Sequence, residues 1–276
     1  MSRPKKSLGQ NFLHDANIAR KIVDSMHLQR DNRVVEIGPG KGALTGFLLE
    51  KLSHLTAIEL DDELALQLRA TFSEKLTLIL GDVLKVDLKT LAKQLGGKVR
   101  IAGNIPYNIT SPILFWVIDA RESVRDCTLM MQHEVAQRLT AKPRTKDYGI
   151  LSVFAQYYAA PKLLFSVSPK SFTPVPEVTS AIVYLNFSGG GPQQPQALND
   201  SIFRAVVRGT FGKRRKTLRN GLRGLGVPAQ ELKNISLSLN RRPEELTVTE
   251  FVSLADELTR HNVNISFHST RQKHDA

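Results

Sequence analysis

Apolar, β-branched runs that stop at a glycine or an acid recur along the first half of the chain: RVVEIGPG (33–40), HLTAIEL (54–60), LTLILGDVL (76–84), VRIAGNIPY (99–107) and CTLMMQHEV (127–135). Between them lie segments with apolar residues at helical spacing, such as ALTGFLLEKL and DELALQLRATF. Strands alternating with helices predict a parallel sheet covered on both faces. The near-continuous apolar character of the runs agrees, because parallel strands are buried on both sides. Two later runs, APKLLFSVS and TSAIVYLNF, have no obvious long helix between them and are expected to close the sheet as an antiparallel edge pair. SGGGPQQPQ (188–196) then breaks the pattern with a linker composition. Beyond it SIFRAVVRGTF, KTLRNGLRGLG, PAQELKNIS and TVTEFVSLADELTR read as helices, and VNISFHSTRQKHDA as a frayed tail. The expected organisation is an α/β domain over 1–187, a linker over 188–196 and a small helical domain over 197–276. No internal repeat is visible.

Charge adds a partner class. The 276 residues carry a formal net charge of +12, which favours a polyanion, either nucleic acid or an anionic membrane surface. From Ser188 onward 14 Lys or Arg stand against 8 Asp or Glu, so the small domain takes a large share of the excess. The single cysteine, Cys127, can form no internal disulfide and offers no pair of thiolates for zinc; it reads as a small buried apolar residue, and its isolation suits a reducing cytoplasm. No apolar run approaches the roughly 20 residues that span a bilayer, and MSRPKKSLGQNFL lacks the apolar stretch of a signal peptide. A soluble, cytoplasmic protein without a membrane role is expected. The seven histidines show no metal-ligand spacing, and no metal is assigned.

The candidate chemistry begins at EIGPGKG (36–42), which ends the first of these strands and is expected to open a helix. Gly38 and Gly40 let the backbone turn tightly and approach a ligand, and a helix N-terminus offers unpaired N–H groups. The spacing G-x-G-x-G misses the third position of the dinucleotide fingerprint, so alone it fits a plain turn as well. Two further acids sharpen it. Glu59 ends the second strand 21 positions after Gly38, where a carboxylate grips a ribose diol bidentately. Asp82, followed by Val83, comes after the third strand, where a carboxylate accepts from an adenine amine. With Glu36, an acid follows or ends each of the first three strands. That set suits S-adenosylmethionine better than a dinucleotide, since no pyrophosphate has to be accommodated and the ligand carries cationic amine and sulfonium groups.

Open α/β sheets bind ligands beyond the carboxyl ends of their strands, and GNIPYNITSP (103–112) lies at that end of the fourth. An adenine amine is a poor nucleophile because its lone pair is delocalised into the ring. Two acceptors taking both its hydrogens draw the nitrogen towards tetrahedral geometry. The Asn104 side-chain carbonyl supplies one and the Ile105 backbone carbonyl the other. Pro106, with its locked φ and no competing donor, sets the direction of that carbonyl. Tyr107 stacks on the base, its electron-rich face favouring positive charge that develops at nitrogen. Such a site works by positioning and electrostatics more than by a strong base.

With these residues in place the sequence closely resembles the small-subunit (16S) ribosomal RNA adenine dimethyltransferases, the KsgA/RsmA family. The likeness runs from about Lys5 to Leu258 and includes KKSLGQNFL, EIGPGKGALT, the GD of the third strand, NIPYNITSP, SFTPVPEVTSAIV and KRRKTLRN. It implies a Rossmann-like class I methyltransferase fold with a small all-helical C-terminal domain, and transfer of four methyl groups in total to two adjacent adenosines in a terminal hairpin loop. By motif position it implies that Asn11 and Leu13 touch the cofactor, with Gly38, Glu59, Asp82 and Asn104 completing the set. Phe172 falls where the family places a second aromatic beside the target base, although an ordinary core phenylalanine would fit the local sequence too. Two positions depart from the family pattern: Glu177 stands where many members have Lys, and His133 where a basic residue is expected.

RGTFGKRRKTLRNGLR (208–223) holds seven Lys or Arg and no acid. On a helix after Gly212, Arg215, Arg219 and Arg223 share one face. With no compensating Glu at helical spacing, the run, including Lys213, Arg214 and Lys216, reads as a phosphate-contacting surface. Arg3, Lys5 and Lys6 are expected to add a basic arm. Contacts of this kind position RNA without reading it, so the loop bases must be splayed and the target base must leave its stack. The expected partner is the small ribosomal subunit or its precursor, bound by a monomer. Two other readings compete: a large-subunit adenine methyltransferase of the macrolide-resistance type, and a non-catalytic ribosome-assembly factor. The full KKSLGQNFL and KRRKTLRN motifs favour the small subunit, and the intact cofactor residues favour catalysis.

Overall fold

The computed structural model describes residues 10–188, 195–212, 216–263 and 265. Two compact units emerge, Met1–Thr140 with Tyr158–Pro192, and Ala141–Tyr157 with Gln193–Ala276.

The first unit carries nine strands: β1 (Phe12–Leu13), β2 (Val34–Ile37), β3 (Leu55–Glu59), β4 (Leu76–Leu80), β5 (Val99–Asn104), β6 (Val124–Gln132), β7 (Ala160–Val167), β8 (Phe172–Thr173) and β9 (Ser180–Asn186). Seven form one sheet in the order β4-β3-β2-β5-β6-β9-β7, and β1 pairs with β8 in a separate ribbon. The helices are α1 (Ala16–Ser25), α2 (Thr45–Lys51), α3 (Asp62–Phe72), α4 (Leu88–Gln94), α5 (Thr110–Asp119) and α6 (His133–Thr140). The five expected parallel strands are β2 to β6. The two late runs do pair antiparallel, with β9 lying between β6 and β7. Only β9 runs against the rest, because β7 is antiparallel to it in turn.

Burial follows position in the sheet. Central β2 and β3 are buried at every residue, whereas edge β4 alternates between buried and exposed positions. Helix α1 starts where the Asp15 carboxylate accepts the N–H groups of Asn17 and Ile18, and it buries Ala19, Ile22 and Val23 in the core shared with Leu48, Leu55 and Ala57. At the amino ends of the strands a buried guanidinium ties elements together. Arg100 Nε donates to Asp126 Oδ1 at 2.9 Å, Nη1 to Asn32 Oδ1 at 2.8 Å, and Nη2 to the Met26 carbonyl at 2.6 Å.

The second unit contains α7 (Ile150–Tyr158), whose last residue returns to the first unit, then α8 (Asp200–Phe211), α9 (Leu218–Gly224), α10 (Glu231–Asn234) and α11 (Val248–Arg260). The expected boundary at 187 needs correction here, because 141–157 belongs with the helical unit. The reason is aromatic packing: the Tyr157 and Phe154 rings lie 4.0 Å and 6.1 Å from the Phe203 ring of α8. Most of the expected linker and tail lies outside the described residues. Among the described residues no helix is long and apolar enough to cross a membrane.

Asp126→Ala leaves Arg100 buried without its carboxylate. It is expected to destabilise the protein by about 3 kcal/mol, read as a lower urea midpoint at unchanged slope.

Candidate active site

The strand order reverses between β2 and β5, so the loops leaving their carboxyl ends diverge and open a crevice. A cavity of about 260 Å³ occupies it. Its lining holds every cofactor residue expected from the sequence: Asn11, Leu13, Glu36, Gly38, Gly40, Glu59, Asp82, Val83 and Asn104. It also holds Ile105, Pro106 and Tyr107, so the expected cofactor residues and the Asn-Ile-Pro-Tyr segment share one space.

The glycine loop is shaped by backbone needs. Gly40 has φ +60°, and a Cβ there would stand 3.2 Å from the Phe12 ring, so both conformation and space demand glycine. The expected helix does not begin in this loop. Residues 40–44 form turns and α2 starts at Thr45. Backbone amides still point at an acid, for Gly40 N–H donates to Glu59 Oε2 at 3.0 Å. Glu59 Oε1 accepts from the N–H groups of Leu60 and Asp61 at 2.8 and 2.9 Å. Three of the four strong acceptor positions of this carboxylate are thereby filled, leaving room on Oε2 for one further donor. A bidentate grip on a ribose diol requires one of those amides to be released.

Glu36 is buried and accepts from the Thr45 hydroxyl at 2.8 Å. Burial pushes its carboxyl up to about 8; the Thr45 hydrogen bond opposes this and the neighbouring Glu59 charge adds to it. Asp82 Oδ1 accepts from Leu84 N–H at 3.0 Å, which leaves Oδ2 for an outside donor. Lys41, its ammonium 4.8 Å from the centre of the Phe12 ring, is the one cation lining the cavity among the described residues. Three carboxyl groups, glycine-loop amides and apolar walls from Phe12, Leu13, Ile58 and Val83 fit S-adenosylmethionine, which brings a cationic head, a diol and an adenine.

The clamp follows on β5. Asn104 Nδ2 donates to the Asn11 carbonyl at 3.0 Å. Turning the amide over would set two carbonyls against each other, so the contact leaves Oδ1 as the free end of the amide. Neither Asn104 Oδ1 nor the Ile105 carbonyl meets a donor among the described residues. Pro106 adopts φ −55° and ψ 132°, and the segment is held by Ile105 N–H donating to the Met130 carbonyl at 3.0 Å and Ile109 N–H to the Pro106 carbonyl at 3.2 Å. The half-buried Tyr107 places its hydroxyl 2.7 Å from Ser180 Oγ. Burial raises the phenol pKa, and the Ser180 hydrogen bond works the other way.

The sequence of 276 residues matches the family described as ribosomal RNA adenine dimethylase over residues 1–260. The chain belongs to that family. It is 47% identical over 260 residues to the ribosomal RNA small subunit methyltransferase A of Chlorobaculum parvum, covering 92% of this chain and 89% of that protein. The protein of the same name from Aromatoleum aromaticum is 43% identical, over 92% of this chain and 94% of its own. The crystal structure of a dimethyladenosine transferase from Plasmodium falciparum superposes with a TM-score of 0.74 at 23% identity, covering 91% of this chain and 98% of that one. That likeness shows the Rossmann-like methyltransferase fold.

The family likeness set Phe172 beside the target base, and the structure gives its surroundings. Phe172 is 1% exposed, registers with Leu13 in the β1–β8 ribbon and packs into the core, outside the cavity lining. Its ring is consumed by core packing. Several site residues escaped sequence reasoning. Gly103 precedes Asn104, and a Cβ there would lie 2.6 Å from the Ile37 carbonyl. Thr45 and Ser180 are small hydroxyls with no local signal; only their partners reveal them. Glu177 is exposed, and His133 opens α6 with its N–H donating to the Thr179 carbonyl at 2.9 Å.

The basic run is less continuous than expected. Helix α8 ends at Phe211, Lys216 and Thr217 are non-helical, and α9 begins at Leu218. Arg219 and Arg223 share one face of α9, with Lys216 and Arg223 exposed and Arg219 partly so. None of the three forms an ion pair among the described residues, whereas Arg241 pairs with Glu250 and Arg204 with Asp200. Lys213, Arg214 and Arg215 lie outside the described residues, as do Arg3, Lys5 and Lys6.

A raised carboxyl pKa means that the folded state holds a proton the unfolded chain has released, so stability falls as pH rises from about 4.5 to about 8. Glu36→Gln keeps a side chain of the same shape beside Thr45 without titrating. It is expected to flatten that decline, on the order of 1 kcal/mol per pH unit, in melting curves taken from pH 5 to 8.

Proposed function

We propose that the protein dimethylates the exocyclic amines of two adjacent adenosines in a terminal hairpin loop of 16S rRNA during ribosome biogenesis. The observation that carries this reading is the Asn104 amide, locked by the Asn11 carbonyl so that its oxygen and the adjacent Ile105 carbonyl are left as two neighbouring unfilled acceptors beside the cofactor cavity. S-adenosylmethionine supplies, when bound, an electrophilic methyl group on a sulfonium sulfur. Glu36, Glu59 and Asp82 hold its polar ends, and the Gly38–Gly40 turn lets it approach the backbone.

The amine presented to Asn104 gives one hydrogen to Oδ1 and the other to the Ile105 carbonyl. Its lone pair is then directed out of the ring plane, towards the donor site. As the N–C bond formed, the methyl's C–S bond would break with its electron pair returning to sulfur; the Tyr107 ring and the two acceptors would stabilise the positive charge passing to nitrogen, and one hydrogen would leave to water as a proton. For the second methyl group the amine has one hydrogen left, so one acceptor suffices. No side chain has to act as a strong base.

Lys216, Arg219 and Arg223 supply phosphate contacts in this reading; Lys213, Arg214 and Arg215, like Arg3, Lys5 and Lys6, lie outside the described residues. The large-subunit alternative is not favoured, since the relatives are named for the small subunit, and the complete site speaks against a non-catalytic role. Action as a monomer belongs to this reading, and the rRNA substrate supports a cytoplasmic location.

Labelled methyl transfer to unmethylated small subunits, followed by mapping, is expected to mark two adjacent small-subunit adenosines; label elsewhere or nowhere overturns the assignment. Asn104→Ala is expected to slow transfer by about 100-fold or more while rRNA binding persists. For the basic face, Arg219→Gln with Arg223→Gln is expected to lower the slope of log K against log salt by about 2, because each phosphate contact contributes nearly one. An unchanged slope in filter-binding assays moves the RNA face elsewhere.

A further inference from the structure

The ring read above as the stacking partner of the target base is held from outside its own loop. Tyr107 opens a single helical turn, Tyr107–Ile109, whose main chain is fastened by Ile109 N–H and by the Thr110 hydroxyl, which donates to the Pro106 and Tyr107 carbonyls at 3.3 Å. Those bonds position the Tyr107 backbone and leave the side-chain torsions to other forces. The second anchor is the phenol oxygen, 2.7 Å from Ser180 Oγ across 73 residues of sequence. Ser180 is fully buried and opens β9, in register with Gln132 of β6 and Val167 of β7. Strand pairing on both sides makes this oxygen part of the sheet rather than of another loop.

An aromatic ring held at its Cα and at its para oxygen has its long axis fixed, and because a phenol's O–H and its best acceptor directions lie near the ring plane, the Ser180 contact also biases rotation about that axis. We propose that Ser180 is a positioning residue for methyl transfer, its hydroxyl pinning the Tyr107 ring so that a stacked adenine presents its amine to Asn104 Oδ1 and the Ile105 carbonyl. The inference rests on the reading that Tyr107 stacks on the base. The tether serves whichever hydroxyl donates, because it acts through geometry. Its effect falls on the chemical step, since Ser180 is outside the cavity lining and touches neither the glycine loop nor the carboxylates that hold the cofactor.

The test is a double-mutant cycle of Ser180→Ala and Tyr107→Phe, with Tyr107→Ala beside it, on the full chain with unmethylated small subunits. The rate of a single turnover, the KM for subunits and the cofactor Kd by calorimetry are measured for each. Both single variants are expected to lose about tenfold in turnover rate, the scale set by a sub-ångström misplacement, with the cofactor Kd unchanged. The double variant is expected to be no slower than the slower single one, because the same bond is lost in each. Additive losses, or a Ser180→Ala protein that turns over at the wild-type rate, overturn the proposal. If Tyr107→Ala is slow while Tyr107→Phe is unimpaired, stacking stands and the tether falls. A Tyr107→Ala protein that turns over at the wild-type rate overturns stacking, and the tether with it.

Discussion

The whole site depends on how closely β2 and β5 approach where the strand order reverses. Ile37 registers with Gly103, and only a residue without a side chain fits 2.6 Å from the Ile37 carbonyl. That contact sets the glycine loop leaving β2 beside the Asn-Ile-Pro-Tyr segment leaving β5. The two segments then line one cavity although they lie about 65 residues apart in sequence.

Around this junction the electrostatics divide by task. The cavity concentrates three carboxyl groups against a single lysine, in a chain whose net charge is +12. One acid, Glu36, is driven towards its neutral form by burial, and another, Glu59, is fastened by three backbone amides. Such a pocket stores the capacity to receive a cationic ligand without leaving bare charge in an apolar space. Lys216, Arg219 and Arg223 of the helical unit are arranged the other way, without an ion pair among the described residues and at least partly in solvent, where long-range attraction for a polyanion is retained.

Much of this was legible along the chain. Each parallel strand announced itself as an apolar run ending in glycine or acid, and the acids at those ends proved to line one cavity. The proposed amine clamp rests on local chemistry, because an amide, a backbone carbonyl and a proline stand consecutively. Other features carried no such signal. Helix α7 reads as sheet-domain sequence and joins the helical unit through Phe203. The basic run reads as one helix, yet the structure breaks it before Leu218. Phe172 reads as a second stacking ring and lies in the core.

What the sequence determined by itself is whatever depends on neighbours in the chain: strand and turn composition, the placement of carboxylates after strands, and the local geometry at Pro106. Tertiary structure alone decided which lone pairs are spent and which are left. Asn11 settles the orientation of Asn104, backbone amides occupy most of Glu59, and Ser180 holds Tyr107. A hydrogen bond forms between groups brought within about 3 Å, whatever their separation along the chain, and that proximity exists only once the sheet has assembled.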